Sequence, residues 1–181
     1  IAVSACLLGE SCRYDGKAKG NAAMTALANA GGIRLIPVCP EVQGGLETPR
    51  SPSEIKQNAG ERLVVNAAGI NVTAAFEQGA QEALHDAKKA GATLAILKSK
   101  SPSCGSGQIY DGSFSGVLID GWGIAAELFV QSGIPVIDEE QAAAFLNAAK
   151  EVPDALLTPE GQLHKSPDTN TLSSGSTFCD A

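Results

Sequence analysis

Residues 92–105, "ATLAILKSKSPSCG", decide the architecture of this chain. From Ala92 to Leu97 the run is apolar apart from Thr93, with no alternation between apolar and polar positions. Such a run is too short for a buried helix and too uniformly apolar for a half-exposed strand. It reads as a strand covered on both faces, as in a parallel sheet packed between helices. After Leu97 the composition changes abruptly. Lys98 and Lys100, Ser99, Ser101 and Ser103, and Pro102 lead to Cys104 and Gly105. A surface loop does not need that mixture. Cys104 can be a buried small hydrophobe, half of a disulfide, or a ligand.

Working outward, the same strand signature recurs. "IAVSACLLG" (1–9) reads as a strand running into a glycine loop, and "IRLIPVCPE" (33–41) as a second strand stopped at Pro40. Residues 22–30 read as a short helix ended by Gly31 and Gly32. "VQGGLETPRSPSE" (42–54) is an ordered but irregular loop, and "ERLVVNAAGINV" (61–72) a short strand or hairpin. A helix is expected from Thr73, as its cap, to about Ala90, with Phe76, Ala80, Leu84 and Ala87 as its inward stripe. "QIYDGSFSGVL" (108–118) is a loop or short hairpin. "GIAAELFVQSG" (123–133) is a helix, "IPVID" (134–138) a strand and "EEQAAAFLNAAK" (139–150) a closing helix. Alternating strands and helices of this length predict an α/β fold, a single-domain Rossmann-like open parallel sheet flanked by helices, over residues 1–150. Residues 151–181 form a C-terminal extension, Ser, Thr and Asp rich from Asp168, expected to be docked or flexible.

With 181 residues and 44% apolar residues, the chain is long enough for one proper core. Aromatics are only 4%, so the helices should lie close on the sheet. The net charge of −7 and the lack of a basic run exclude nucleic acid as an expected partner. No apolar run reaches the roughly 18 residues of a membrane span. The absence of Met at position 1 leads to the expectation that a few leading residues precede Ile1. The apolar start has no basic flank and continues into "CLLGESCRYDG", unlike a signal peptide. A cytoplasmic location is expected, and a monomer is favoured.

Five cysteines, Cys6, Cys12, Cys39, Cys104 and Cys179, are odd in number and widely spaced, which argues against a disulfide scaffold. Taken singly, each is well read as a buried small hydrophobe. Cys6, Cys39 and Cys104 nevertheless lie at or just beyond the ends of three strands, each near Pro or Gly. In a parallel α/β sheet, ligands bind outside the carboxyl ends of the strands, so these three thiols are expected to converge. Three thiolates suit catalytic zinc or an iron–sulfur cluster. Catalytic zinc usually takes histidine. Only His85 and His164 are present, His85 off the inward helix stripe and His164 near the tail, so the cluster is favoured. A four-iron cluster on three cysteines leaves one iron open as a Lewis acid.

With histidine scarce, proton chemistry falls to other groups. Glu41, two residues after Cys39, is a candidate acid or base, with helix capping as its structural reading. Ser101 and Ser103 are candidate hydrogen-bond donors, with turn initiation as theirs. Lys98 and Lys100 are candidate charge compensation, with solvated charge as their structural reading, and strand alternation predicts that only one face of the strand sees the site. Gly44 and Gly45 are read as permitting close approach to a ligand. Arg50 is read either as pinning a carbonyl or carboxylate or as pairing with Glu54. Asp15 and Asp111, in the echoed "RYDG" (13–16) and "IYDG" (109–112), are read chiefly as turn formers.

The motifs "VSACLLGESCRYDG" (3–16), "PVCPEVQGGLETPRSPSE" (37–54), "AILKSKSPSCGSGQIYDGSFSG" (95–116) and "GIAAELFVQSGI" (123–134) together resemble the thiouracil desulfurase family, over residues 1 to about 150. That resemblance implies a small α/β enzyme with an oxygen-sensitive [4Fe-4S] cluster on Cys6, Cys39 and Cys104. It implies hydrolytic removal of sulfur from a thiolated pyrimidine such as 2-thiouracil, giving uracil and hydrogen sulfide. Glu41 is implied as the acid–base group and Ser101 as a positioning group. The other readings that stay open are a zinc-thiolate hydrolase and a non-catalytic cluster or sulfur carrier or redox sensor. Cys12 lies within a motif without an assigned role, and Cys179 lies outside the resemblance.

Overall fold

The computed structural model describes residues 1–58 and 60–151. Cys179, His164 and the expected extension beyond Glu151 lie outside the described residues. Among the described residues, eight strands and five helices follow in the order β1 (Ala2–Ser4), α1 (Ala22–Asn29), β2 (Ile36–Val38), α2 (Pro40–Gln43), β3 (Ser53–Asn58), β4 (Glu61–Asn66), α3 (Thr73–Lys89), β5 (Ala95–Leu97), β6 (Gln108–Tyr110), β7 (Leu118–Asp120), α4 (Ile124–Gln131), β8 (Val136–Asp138) and α5 (Glu139–Glu151). A 3-10 turn, Ala5–Leu8, continues directly from β1.

The central sheet is parallel throughout, in the order β2-β1-β5-β8. This is the α/β arrangement expected from the uninterrupted apolar strands. Successive residues of one strand go to opposite faces, and both faces are buried. Ala2, Ala95 and Leu97 pack with Ala83, Leu84 and Ala87 of α3 and Ala126 and Phe129 of α4. Val3 and Ile96 pack the other way, with Met24 and Leu27 of α1 and Ala142 of α5. Burying a residue such as Phe129 completely contributes about 2–3 kcal/mol. The stripe Phe76, Ala80, Leu84 and Ala87 of α3 is buried as expected.

Two antiparallel hairpins sit beside the sheet. β3 pairs with β4, and β6 with β7. They share a smaller apolar cluster of Ile55, Val64, Phe76 and Ile109. A loop or short hairpin was expected at 108–118, and the hairpin forms over 108–120. β3 was not expected, because "SEIKQN" carries too many polar residues for a strand to stand out. Thr73 does not cap α3. Val72 is the capping residue, while the Thr73 hydroxyl accepts the Val64 amide at 2.8 Å and ties the helix to β4.

The short helix α2 is pressed against α3 through glycine. A Cβ on Gly79 would meet the Pro40 carbonyl oxygen at 1.7 Å, and one on Gly44 would meet the Ala75 oxygen at 1.9 Å. Gly44 therefore makes room for a helix, where the sequence had suggested room for a ligand. The contact matters because α2 begins immediately after Cys39. Gly79→Ala gains about 1 kcal/mol of helix propensity, yet the clash is with backbone that cannot rotate away. The expected outcome is a net destabilisation of about 1–3 kcal/mol, measured as a lowered midpoint in urea unfolding.

Candidate active site at the strand ends

In the order β2-β1-β5-β8, the chain leaves β1 toward one side and later returns to the other, so the connections diverge between β1 and β5. Crevices form at such a switch point, outside the carboxyl ends of the strands. Here a cavity of about 690 Å³ opens, and its walls include Cys6, Cys12, Cys39 and Cys104. Cys6 lies in the 3-10 turn after β1, Cys39 directly follows β2 and precedes α2, and Cys104 follows β5 by a loop. The expected convergence on one cavity is present. All four are free thiols. Among the described residues no three His, Cys, Asp or Glu side chains form the ligand set of a single ion.

Cys12, Cys39 and Cys104 are reluctant to ionise. Burial pushes Cys104 up to about 12, against the opposing pull of the Ser4 and Ser103 hydroxyls. Cys39 is raised further, by its hydrogen bond with Cys12 and by burial. Its Sγ also lies 3.8 Å from the Cys12 carbonyl oxygen. Cys12 is drawn down by Cys39, but its interaction with Cys6 and its burial outweigh that, and it rises to about 11. At neutral pH Cys12, Cys39 and Cys104 are protonated, which makes them poor nucleophiles on their own. A bound cation is the kind of partner that deprotonates such thiols.

The loop after β5 is held from several sides. The Lys98 amide donates to Ser4 Oγ at 2.9 Å. Lys98 Nζ pairs with the Glu139 carboxylate, which also accepts the Ser99 amide at 2.8 Å and the Ser99 hydroxyl at 2.9 Å. Both lysines line the cavity. β5 ends at Leu97, and Lys100 takes a left-handed backbone with φ 61°, so strand alternation no longer governs the side chains. Ser101 Oγ accepts the amides of Ser103 and Cys104, each at 3.1 Å, and so braces the turn that presents Cys104. As an acceptor in both bonds, it keeps its own proton for a further partner. Ser103 is 0% exposed, and its hydroxyl lies against the Cys104 thiol.

Glu41 sits in the first turn of α2, where Cys39 is the capping residue. Arg50 Nε donates to Glu41 Oε2 at 2.8 Å. The remaining guanidinium groups reach the Cys12 carbonyl at 3.0 Å, Thr48 Oγ1 at 3.0 Å and the Glu47 carbonyl at 3.1 Å. Arg50 thus pairs with Glu41 and not with Glu54. Glu54 is turned elsewhere, accepting the amides of Gly112 at 3.0 Å and Phe114 at 2.9 Å. Glu41, Arg50 and Glu54 all border the cavity.

Asp15 accepts the Lys17 amide and Asp111 the Ser113 amide, so the two Tyr-Asp-Gly echoes are turns. His85 is exposed on α3. The aromatic residues Tyr14, Tyr110 and Phe114 border the cavity as well, and no role was read for them from sequence. The available signal was a single aromatic in each of two Gly-rich turns, in "RYDG" and "DGSFSG". No described helix is long and apolar enough to cross a membrane.

Comparison with known proteins bears on this cavity directly. The sequence model of the 2-thiouracil desulfurase family matches residues 1–141. The uncharacterized protein YbbK of Bacillus subtilis (strain 168) is 42% identical over 147 residues, spanning 78% of this chain and 96% of that one. A solved structure of the [4Fe-4S]-dependent thiouracil desulfidase TudS superposes with a TM-score of 0.72 at 45% identity, covering 84% of this chain and 98% of that one.

The Lys98–Glu139 anchor generates a pH prediction. Burial alone would raise the Glu139 pKa, but the Lys98 ammonium and the Ser99 amide hold it below the ordinary 4.5. A carboxyl lowered in the folded state adds stability above its unfolded value and loses it as pH falls through the folded value. Urea unfolding should therefore show wild-type stability declining below pH 4.5, with a shallower decline in Glu139→Gln. At pH 7 that variant should be about 1–3 kcal/mol less stable.

Proposed function

The chain belongs to the 2-thiouracil desulfurase family, and from that premise we propose that it hydrolyses a thiolated pyrimidine such as 2-thiouracil to uracil and hydrogen sulfide, with a [4Fe-4S] cluster on Cys6, Cys39 and Cys104. The observation that carries the reading is the delivery of those three thiols to one cavity by three adjacent strand ends. The donor set fits the cluster. Thiolate is the ligand that iron–sulfur centres take. The buried Ser103 hydroxyl beside Cys104 suits a sulfur acceptor. A volume of about 690 Å³ also leaves room for a small ring.

Bound on three cysteines, the cluster supplies one iron without a protein ligand, a Lewis acid matched to a soft thiocarbonyl sulfur. The protein's residues do the rest. Glu41 is held by Arg50 through Oε2, and its Oε1 accepts no hydrogen bond among the described residues. That oxygen takes a proton from the attacking water and returns it to the departing sulfur. Ser101 has its hydroxyl proton free and positions the substrate by donating to it. Lys100 adds positive charge at the cavity wall, while Lys98 is committed to Glu139. The net change is water in and hydrogen sulfide out, so no external electron donor is needed. Free thiols around an oxygen-sensitive group suit a reducing cytoplasm.

Iron and acid-labile sulfide content after anaerobic reconstitution, together with sulfide released from 2-thiouracil, tests the reading. Cys6→Ser, Cys39→Ser and Cys104→Ser should each lose the bound iron and the activity, while Cys12→Ser keeps both. Zinc in place of iron in protein purified without air would overturn it. Glu41→Gln should retain the iron content of the wild type and lower kcat by about 10²–10⁴-fold, the usual contribution of a general acid–base group.

A further inference from the structure

Among the described residues, two that are not glycine have positive φ, Lys100 at 61° and Phe114 at 59°, and both border the same cavity. Left-handed backbone is uncommon for any residue with a Cβ and a genuine outlier for a bulky aromatic. Strain of this kind persists only where the surroundings impose it, and it concentrates at functional sites. At Phe114 the surroundings can be named. Glu54, 8% exposed, accepts the amides of both Gly112 and Phe114 through Oε2. The Asp111 carboxylate accepts the Ser113 amide at 2.9 Å and the Ser113 hydroxyl at 2.5 Å, and Ser113 Oγ lies 2.6 Å from Ser115 Oγ. Gly112, at φ 86°, lies so close to β3 that a Cβ would stand 2.8 Å from the Ile55 oxygen.

All this restraint does not bury the aromatic ring. Phe114 is 38% exposed, and Tyr14, carried by the other Tyr-Asp-Gly turn, is 44% exposed. A buried carboxylate and a tight turn are maintained to hold an apolar ring in a cavity wall, where packing gains little from it. A flat aromatic surface held rigid beside a site has one evident use, which is to stack on a planar ring, and stacking on a pre-ordered side chain costs little ordering entropy. The geometry points to Phe114 as the stacking surface for the substrate's heteroaromatic ring, with Glu54 as the positioning residue that holds it and Tyr14 as a second aromatic wall. The assignment rests on the desulfurase reading for the identity of the ring. It goes beyond that reading in naming what selects a planar base over an open-chain thioamide.

The test uses reconstituted protein under anaerobic conditions, with 2-thiouracil as the probe. Calorimetry gives the affinity, and sulfide release gives kcat and KM. Phe114→Leu should weaken binding and raise KM about tenfold, in line with base–aromatic stacking, with kcat little changed, and Phe114→Tyr should restore both constants. Phe114→Gly relieves the left-handed strain, so its melting temperature should hold or rise while affinity falls. A melting temperature that falls together with affinity would assign Phe114 to packing and overturn the proposal. Glu54→Gln keeps an amide oxygen for the same two N–H groups and should bind as wild type does, whereas Glu54→Ala should raise KM. Wild-type turnover with an unchanged KM in Phe114→Leu would sink the stacking role and leave the desulfurase intact. Wild type that binds 2-thiouracil through Phe114 but releases no sulfide would leave the stacking role and remove the desulfurase.

Discussion

Parallel pairing on both sides of β1 is the constraint from which the site follows. A parallel neighbour must leave the sheet at the same edge, so β2, β1 and β5 all release their chains into one crevice. Cys39, Cys6 and the loop to Cys104 follow those exits. An antiparallel pairing at either side of β1 would send one cysteine to the far edge of the sheet. The strands are only three residues long, so little sequence separates the core from the cavity. Core packing and thiol placement are consequently coupled through Val38 and Leu97, buried at the last positions of β2 and β5.

The loops around the crevice are organised by carboxylates more than by apolar contacts. Glu139 holds the backbone and side chain of Ser99 together with Lys98, and Glu54 holds the turn at Gly112 and Phe114. Both are buried, and a buried carboxylate is tolerated only where its lone pairs are used. Arg50 serves the third side, spanning Glu41, Cys12 and the Glu47–Thr48 backbone. Hydrogen bonds to charged groups are stronger than neutral ones, so these loops are fixed with few residues. The cavity walls they form are correspondingly fixed.

Local signals in the chain were legible where one residue type permits one conformation. The apolar run at 92–97, the stripe on α3, the turn aspartates and the hairpin at 108–120 all read correctly. Readings that depended on which distant group would arrive failed. Arg50 found Glu41 in place of Glu54, because Glu54 was already engaged across the β3–β6 region. Gly44 was taken for a ligand contact, but its missing side chain makes space for α3. Phe114 carried no chemistry that its sequence context singled out.

What the sequence determined by itself was the kind of fold and the places of its thiols at or beyond strand ends. Those follow from side-chain period and from residue chemistry, both of which are local. Only the tertiary structure decided the partners of the charged groups and the rotation of the loops. The strain at Lys100 and Phe114 belongs to the same class. These depend on distances between segments far apart in the chain, such as Glu54 to Phe114 and Lys98 to Glu139. Charge pairing and hydrogen bonding act over a few ångströms and select among many chemically equivalent partners, so composition and spacing do not specify the choice.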